Sequence, residues 1–188
     1  MNNLSILAQG RVVIHDELTG ELILDTTNAI HPRNMALIVA RSLAREDNGY
    51  IQKVAFGNGG TFRNSSGNLV YKTPNILGSA ATLYNKTYEI LVDELTSGTP
   101  ATNSVKAFAS PAPALTSIVA VTFKLAANEP SGQAVSDNLS NTTTLFTFDE
   151  MGLISNDGLL LSHLIFNPVE KTANRAWGST YRILVSVS

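Results

Sequence analysis

Three histidines, two adjacent carboxylates, one glycine cluster and a single tryptophan are the residues whose types and spacing could do chemistry in this chain of 188 residues. A metal site needs ligands that converge, and none of His15, His31 or His163 has a second ligand at metal spacing. His15 lies beside Asp16 and Glu17 in a strand-like run, where neighbouring side chains point to opposite faces. His31 directly precedes Pro32, which assigns it to packing or capping at a helix entrance. Asp149 and Glu150 are neighbours that diverge in a strand, and no second carboxylate pair completes a glycosidase-like site. Gly57-Asn58-Gly59-Gly60 has the glycine content of a phosphate loop, without the following helix or the Lys-Ser/Thr pair that such a loop needs. The expectation is a scaffold turn whose glycines supply positive φ. No nucleophile elbow marks a serine hydrolase, and the absence of cysteine excludes thiolate ligands, disulfides and Cys nucleophiles. Among Tyr50, Phe56, Phe62, Tyr71, Tyr84, Tyr88 and Trp177, core positions are expected for most. Trp177, in the RAWGS segment, is the candidate for sugar contact. No catalytic, cofactor-binding or metal-binding residue emerges, and the chain reads as non-enzymatic.

Composition narrows the partners. With 13 basic and 15 acidic residues the formal net charge is -2, which favours neither nucleic acid nor an anionic membrane surface. Charged residues make up 15% of the chain, against about 25% in an average soluble domain. Asn, Ser and Thr take their place, a surface chemistry suited to β-rich assemblies and contacts between subunits. MNNLSILAQGRVV has neither a basic leader nor a continuous apolar stretch, so it does not read as a signal peptide. No apolar run approaches the roughly 20 residues that span a bilayer.

The elements that must position these residues begin with a helix expected over 32–46. Pro32 suits its first turn, and Asp47-Asn48-Gly49 can supply a left-handed stop. At about 100° per residue, Asn34, Arg41 and Arg45 form its one polar stripe. Met35, Ile38, Val39 and Leu43 form an apolar strip, while Leu37 and Ala44 lie nearly opposite. Such a helix is covered on two sides, by its own sheet and by a second subunit, or it is internal to one larger core. Met35 to Ala44 is where a buried seam is expected.

Period-2 patterning supplies the strands. Arg11–Asp16 and Glu21–Thr26 form an N-terminal hairpin over 11–26, and Tyr50–Phe56 leads into the glycine cluster. RNSSGN reads as a second hairpin turn, and Thr82–Val92 as one long edge strand. Further strands are expected at Ser117–Ala126, Thr143–Phe148, Leu159–Phe166 and Tyr181–Val187, with a tight turn at Asn156-Asp157-Gly158. Residues 97–114, with Pro100, Pro111 and Pro113, read as a long surface loop, and Asn128–Asn141 as another. About eight strands and one helix without βαβ alternation predict a single mainly β domain over 1–188, an antiparallel β-sandwich.

In order along the chain, the helix, VAFGNGG, ATLYNKTYEI, SIVAVTFKL and TFDEMGLISNDGLLLSHLIFNPVEKT resemble the N-terminal tail-collar-fibre domain of tailed bacteriophages. The carrying positions are Gly57, Gly59 and Gly60 in the first turn, then Glu150, Gly152, Leu153 and Gly158 in the last hairpin. The opening hairpin with NAIHPRNMA is also similar to small virion structural proteins of tailed phages. The resemblance spans about Asn28 to Arg182. It implies a β-rich anchoring domain that joins a fibre or appendage to a tail or baseplate, with no catalytic residues to carry over. Only 16 residues follow Thr172, which implies an adaptor, collar, baseplate or capsid-decorating subunit instead of a complete fibre.

The expected function is therefore that of a non-enzymatic structural subunit in a tailed-phage virion, assembled in the host cytoplasm. Its expected partners are other virion structural proteins and further copies of itself, in a homo-oligomer. The expected contact elements are residues 97–114, 128–141 and the terminal segments, which could add strands to neighbouring sheets. The alternatives are a capsid decoration protein, or a carbohydrate-binding module that touches host glycans through Trp177. No cofactor is expected.

Overall fold

The computed structural model describes residues 6–110, 115–131 and 146–187. Strands β1 (Ile6–Asp16) and β2 (Leu22–Ile30) make the opening hairpin. Its turn is held by Asp16, whose carboxylate accepts the N–H groups of Leu18 and Thr19, and Gly20 supplies the left-handed residue at φ 71°. Helix α1 (Pro32–Ala44) follows, and then β3 (Ile51–Gly57). The small hairpin β4 (Thr61–Arg63) and β5 (Leu69–Tyr71) turns through Asn64, whose side-chain oxygen accepts from Ser66 and Asn68. The chain continues through β6 (Lys86–Leu91), β7 (Ser104–Ala109), β8 (Thr116–Leu125), β9 (Thr147–Ser155), β10 (Leu160–Glu170) and β11 (Trp177–Val187).

Nine strands form one antiparallel sheet in the order β6-β3-β9-β10-β2-β1-β11-β8-β7, and β4-β5 stands apart. The sheet curls until its halves pack face to face, as the sequence predicts for an antiparallel sandwich. One leaf is β2-β1-β11-β8-β7 and the other is β10-β9-β3-β6. β2 belongs to both. Its residues 22–28 pair with β1, and then Ala29 and Ile30 pair with His163 and Ser162 of β10. Gly10 opposite Asn28 makes this departure sterically open, because a Cβ at Gly10 would collide with the Asn28 side chain at 1.7 Å.

The core lies between the leaves. Phe56 and Phe148 of one leaf, 5.0 Å apart between ring centroids, meet Phe123 and Trp177 of the other at 5.8 and 6.0 Å respectively. Such tilted and edge-on pairs add about 0.5–1.5 kcal/mol each beyond their burial. The Tyr181 hydroxyl crosses the same gap to donate to Ser162 Oγ at 2.6 Å, and burial raises its pKa. Near the far edges, Asn103 joins the leaves, donating to the Leu91 carbonyl and accepting from Lys124 N–H. β9 is buried along almost its whole length. Its inner face lines the core, and on the outer side Ala81 and Leu83 pack against Ala55 and Leu160.

Several expectations need correction. Residues 97–110 are no continuous loop, because β7 pairs with β8 from Ser104↔Thr122 to Ala109↔Ser117. An edge strand needs backbone pairing on one side only, so its Ser/Ala/Lys composition hid it. Residues 82–92 hold a shorter strand than predicted, Lys86–Leu91, although it does lie at a sheet edge. β1 starts at Ile6 instead of Arg11, and β9 carries MGLIS within one strand. The helix stops at Ala44, with Arg45 itself in the left-handed C-cap at φ 60°. Gly49 serves a different purpose: it comes so close to the last helical turn that a Cβ would lie 2.6 Å from Ser42 N. Residues 111–114 and 132–141 of the expected contact loops, residues 1–5 and 188 of the expected terminal contact segments, and the start of the strand predicted at Thr143 fall outside the described residues.

Candidate functional site

Two arrangements gather the residues that the sequence singles out, and the first is a buried knot under the glycine corner. Asp149 and Glu150 are both buried. Asp149 accepts from Gly60 N–H and Thr61 N–H, each at 2.8 Å, and from the Thr61 hydroxyl at 2.5 Å. Glu150 Oε1 accepts from Gly59 N–H at 3.1 Å and Asn85 N–H at 2.7 Å, while Oε2 accepts from Tyr84 N–H at 2.8 Å and His163 Nε2 at 3.0 Å. Asn75 N–H donates to His163 Nδ1, so the ring proton sits on Nε2 and the histidine is the neutral tautomer that donates to Glu150. Burial pushes the Glu150 carboxyl upward, but the bonds from His163, Asn85, Tyr84 and Gly59 outweigh it and hold the pKa below its ordinary value.

The amides that would cradle a phosphate are thus already bound to two carboxylates of the same chain. The glycines are needed for closeness, not for positive φ. Cβ atoms at Gly57, Gly59 and Gly60 would meet Asn85 O, Asn85 N and Asp149 O at 2.4, 2.7 and 2.9 Å, and none of the three is left-handed. A side chain at any of them would push the corner off its carboxylates. Glu150 and His163 have no solvent-exposed side-chain surface, and their hydrogen bonds go to the corner they hold. Among the described residues no group of three or more His, Cys, Asp or Glu could hold a metal ion.

The second arrangement is on the surface, and α1 builds it. His31 caps the helix as its position predicts: Nδ1 accepts Asn34 N–H at 3.2 Å, which leaves Nε2 to donate to the Gly78 carbonyl at 2.8 Å. Asn34 then donates to the Leu160 carbonyl, Ile38 is buried, and Arg41 pairs with Asp157 in the β9–β10 turn. Two residues of the polar stripe read from the sequence, Asn34 and Arg41, therefore face the body of the protein beside Ile38, while the third, Arg45, is exposed in the C-cap. The apolar circumference is divided: Ile38 is buried, Met35 and Val39 pack half-buried against the core, and Ala36, Leu37, Ala40, Leu43 and Ala44 are exposed. Leu43 is 82% exposed and Leu37 39%.

This outward face forms one wall of a groove of about 510 Å³. The other wall is the start of β1, Ile6, Leu7 and Ala8. The groove exists because β2 leaves β1 beyond Asn28, so Ile6 to Gln9 pair only with β11. Comparison with family models, characterised proteins and solved structures gave no match. The sequence marks Met35 to Ala44 as a surface to be covered and includes the terminal segments among its contact elements, but for Ile6 and Leu7 themselves its one signal is that apolar residues precede the predicted strand.

The remaining candidates are placed as follows. Trp177, the candidate for sugar contact, is 1% exposed and packs against Phe148, so its ring is part of the core and offers no open face to a sugar. Its place at the start of β11, facing the core, was hidden by the turn-like sequence around it. His15 is exposed while Asp16 is buried and bonded to Arg175, so the two diverge as strand neighbours should. His15 instead lines a polar groove of about 690 Å³ across β2, β1, β11 and β8, beside Arg11, Glu17, Lys124 and Arg182. Its charges largely pair among themselves, Arg11 with Asp25 and Lys124 with Glu17. No helix among the described residues is long and apolar enough to cross a membrane.

Proposed function

We propose that the chain is a non-enzymatic structural subunit of a tailed-phage virion, a tail, collar or baseplate adaptor that works by docking to its neighbours. The observation that carries this reading is the orientation of α1. A surface helix ordinarily turns its polar side to water, whereas here Asn34 and Arg41 point inward and Ala36, Leu37, Ala40 and Leu43 point outward. An exposed apolar patch of several hundred Å² rimmed by polar residues marks an interaction site. The knot supports the same reading, since the most elaborate set of buried ionisable groups holds a corner in place and exposes none of its reactive atoms. The resemblance of the glycine corner and the last hairpin to the tail-collar-fibre domain supplies the virion setting.

Mass spectrometry and cryo-electron microscopy of purified particles test the proposal. The chain is expected in stoichiometric copies with the α1 groove covered, and Leu43→Glu is expected to abolish its incorporation. Absence from particles, or an α1 face left open to solvent in them, would refute it. Host-glycan recognition keeps one support, the polar groove containing His15 and Arg182. A glycan array that shows binding lost on Arg182→Ala would favour that alternative.

A further inference from the structure

On the outer face of the leaf β2-β1-β11-β8-β7, the polar groove leaves unused chemistry of one kind. The register sets three outward rows across β1, β11 and β8: Arg11, Arg182 and Ala120, then Val13, Thr180 and Thr122, then His15, Gly178 and Lys124. The groove of about 690 Å³ is lined by residues of all three rows, and its volume is that of a small-ligand site, about 300–1,000 Å³. Both carboxylates that line it are engaged. Asp25 accepts two hydrogen bonds from Arg11, at 2.7 and 2.6 Å, and Glu17 accepts from Lys124 Nζ at 3.0 Å. Glu17 reaches Lys124 by passing over Gly178, where a Cβ would lie 1.8 Å from Glu17 Oε1. What remains is a cation and hydroxyl groups. The Arg182 guanidinium has no hydrogen bond or ion pair among the described residues, and the Thr122 and Thr180 hydroxyls have none either. Arg182 lies directly opposite Arg11 across the ladder, and like charges so placed repel.

We infer that this groove binds a sugar acid, a short saccharide whose carboxylate pairs with Arg182 and whose hydroxyl groups meet Thr122 and Thr180. A guanidinium fork matches a carboxylate through two parallel bonds, and a carboxylate beside Arg182 and Arg11 removes their mutual repulsion. Threonine hydroxyls donate and accept, as sugar hydroxyls do. From the arginine row to the Glu17–Lys124 bridge is four residues of strand, about 13 Å, so the ligand extends from a cation at one end over a floor of threonine and Val13. An acidic peptide fits less well. The strands beneath the groove are interior to the sheet, so no backbone edge is open for an added strand. The inference deepens the glycan reading of the polar groove by naming the sugar class and its anchor. It is independent of docking through α1, because a virion subunit can hold a ligand on one face and a neighbour on another.

Calorimetric titration and heteronuclear NMR of the whole chain with tri-galacturonate, galactotriose, triglutamate and sulfate test this. Tri-galacturonate is expected to bind, to move the amide signals of Thr122, Thr180 and Arg182, and to bind more weakly as salt rises. Arg182→Gln should weaken it about tenfold, and Thr180→Val severalfold, with Tm unchanged in both variants. Glu17→Gln releases Lys124 as a second free cation and should tighten binding, a gain that misfolding cannot imitate. Absence of binding up to about 10 mM, or an affinity indifferent to Arg182→Gln, overturns the inference. Triglutamate or sulfate bound as tightly as tri-galacturonate also overturns it, since the groove would then read charge alone. If galactotriose binds as well as tri-galacturonate, the sugar-acid assignment falls and the glycan reading of the groove stands.

Discussion

Replacing Glu150 with Gln is the sharpest test of how this fold holds its glycine corner. The substitution preserves shape, so any loss must come from charge and hydrogen bonding. Four donors converge on the wild-type carboxylate at 2.7 to 3.1 Å: Gly59, Tyr84 and Asn85 N–H, and His163 Nε2. An amide can place its oxygen toward only one pair of these, which leaves the other pair facing an NH₂ group in a site without water access. Bonds to a charged acceptor contribute about 1.5–3 kcal/mol each, and breaking a buried pair costs about 3–5 kcal/mol. A loss of about 4 kcal/mol is therefore expected. In a chain of this size about 1 kcal/mol moves Tm by 2–4 °C, so Tm should fall by roughly 10 °C. Denaturant unfolding gives the energy, and hydrogen exchange should show Gly59, Tyr84 and Asn85 losing protection together. The acid limb supplies a second reading. The folded carboxyl titrates below its ordinary value of 4.5, so the unfolded chain binds the proton first as pH falls. Stability from this group is complete above that value and is lost as pH drops through the lowered pKa, and Glu150→Gln should flatten that decline. A variant within about 1 kcal/mol of wild type, with unchanged exchange, would refute the corner-pinning role.

Gly152→Ala should cost about 1–3 kcal/mol by overpacking, since its Cβ would meet Ser162 O and Leu160 Cδ1, each at 2.7 Å; denaturant midpoints check this. Lys171 is buried with Nζ donating to the carbonyls of Ala126, Thr172 and Arg175, and desolvation lowers its pKa to about 8. The unfolded chain keeps that proton up to 10.5, so wild-type stability should rise between those two pH values and Lys171→Met should lose the rise. Trp177→Ala should cost about 3–5 kcal/mol of stability through a core cavity, and a calorimetric scan that shows no drop in Tm would contradict the burial of that ring.

Local signals made much of the fold legible. Alternation in SIVAVTFKL located β8, Asn156-Asp157-Gly158 located the β9–β10 turn with Gly158 at φ 89°, and His31 before Pro32 located the cap. What stayed hidden depends on partners far apart in the chain. Nothing near Glu150 indicates that residues 59, 84, 85 and 163 will surround it. The glycines at 57–60 were expected to bend the chain through positive φ, but crowding by Asn85 and Asp149 is the constraint, and crowding has no local sequence signature. The circumference of α1 was readable, yet which side faced the body was decided by Leu160 and Asp157, more than a hundred residues away. β7 illustrates the reverse case, a strand whose identity comes from its neighbour β8 and hardly from its own residues.

The pairing of β1 with β11 has a mechanical consequence. Ile6 lies opposite Val187, and the ladder runs without a break to Asp16 opposite Trp177. A pull applied at residues 6 and 187 in opposite directions would load the hydrogen bonds of this antiparallel ladder one rung at a time, as in opening a zipper, because they lie perpendicular to the strands. Tension delivered that way meets little resistance, whereas a push across the α1 face is spread over the helix, the β9–β10 hairpin and both leaves at once. If the chain works as the proposed structural subunit, force should therefore reach it through its faces and leave that corner slack.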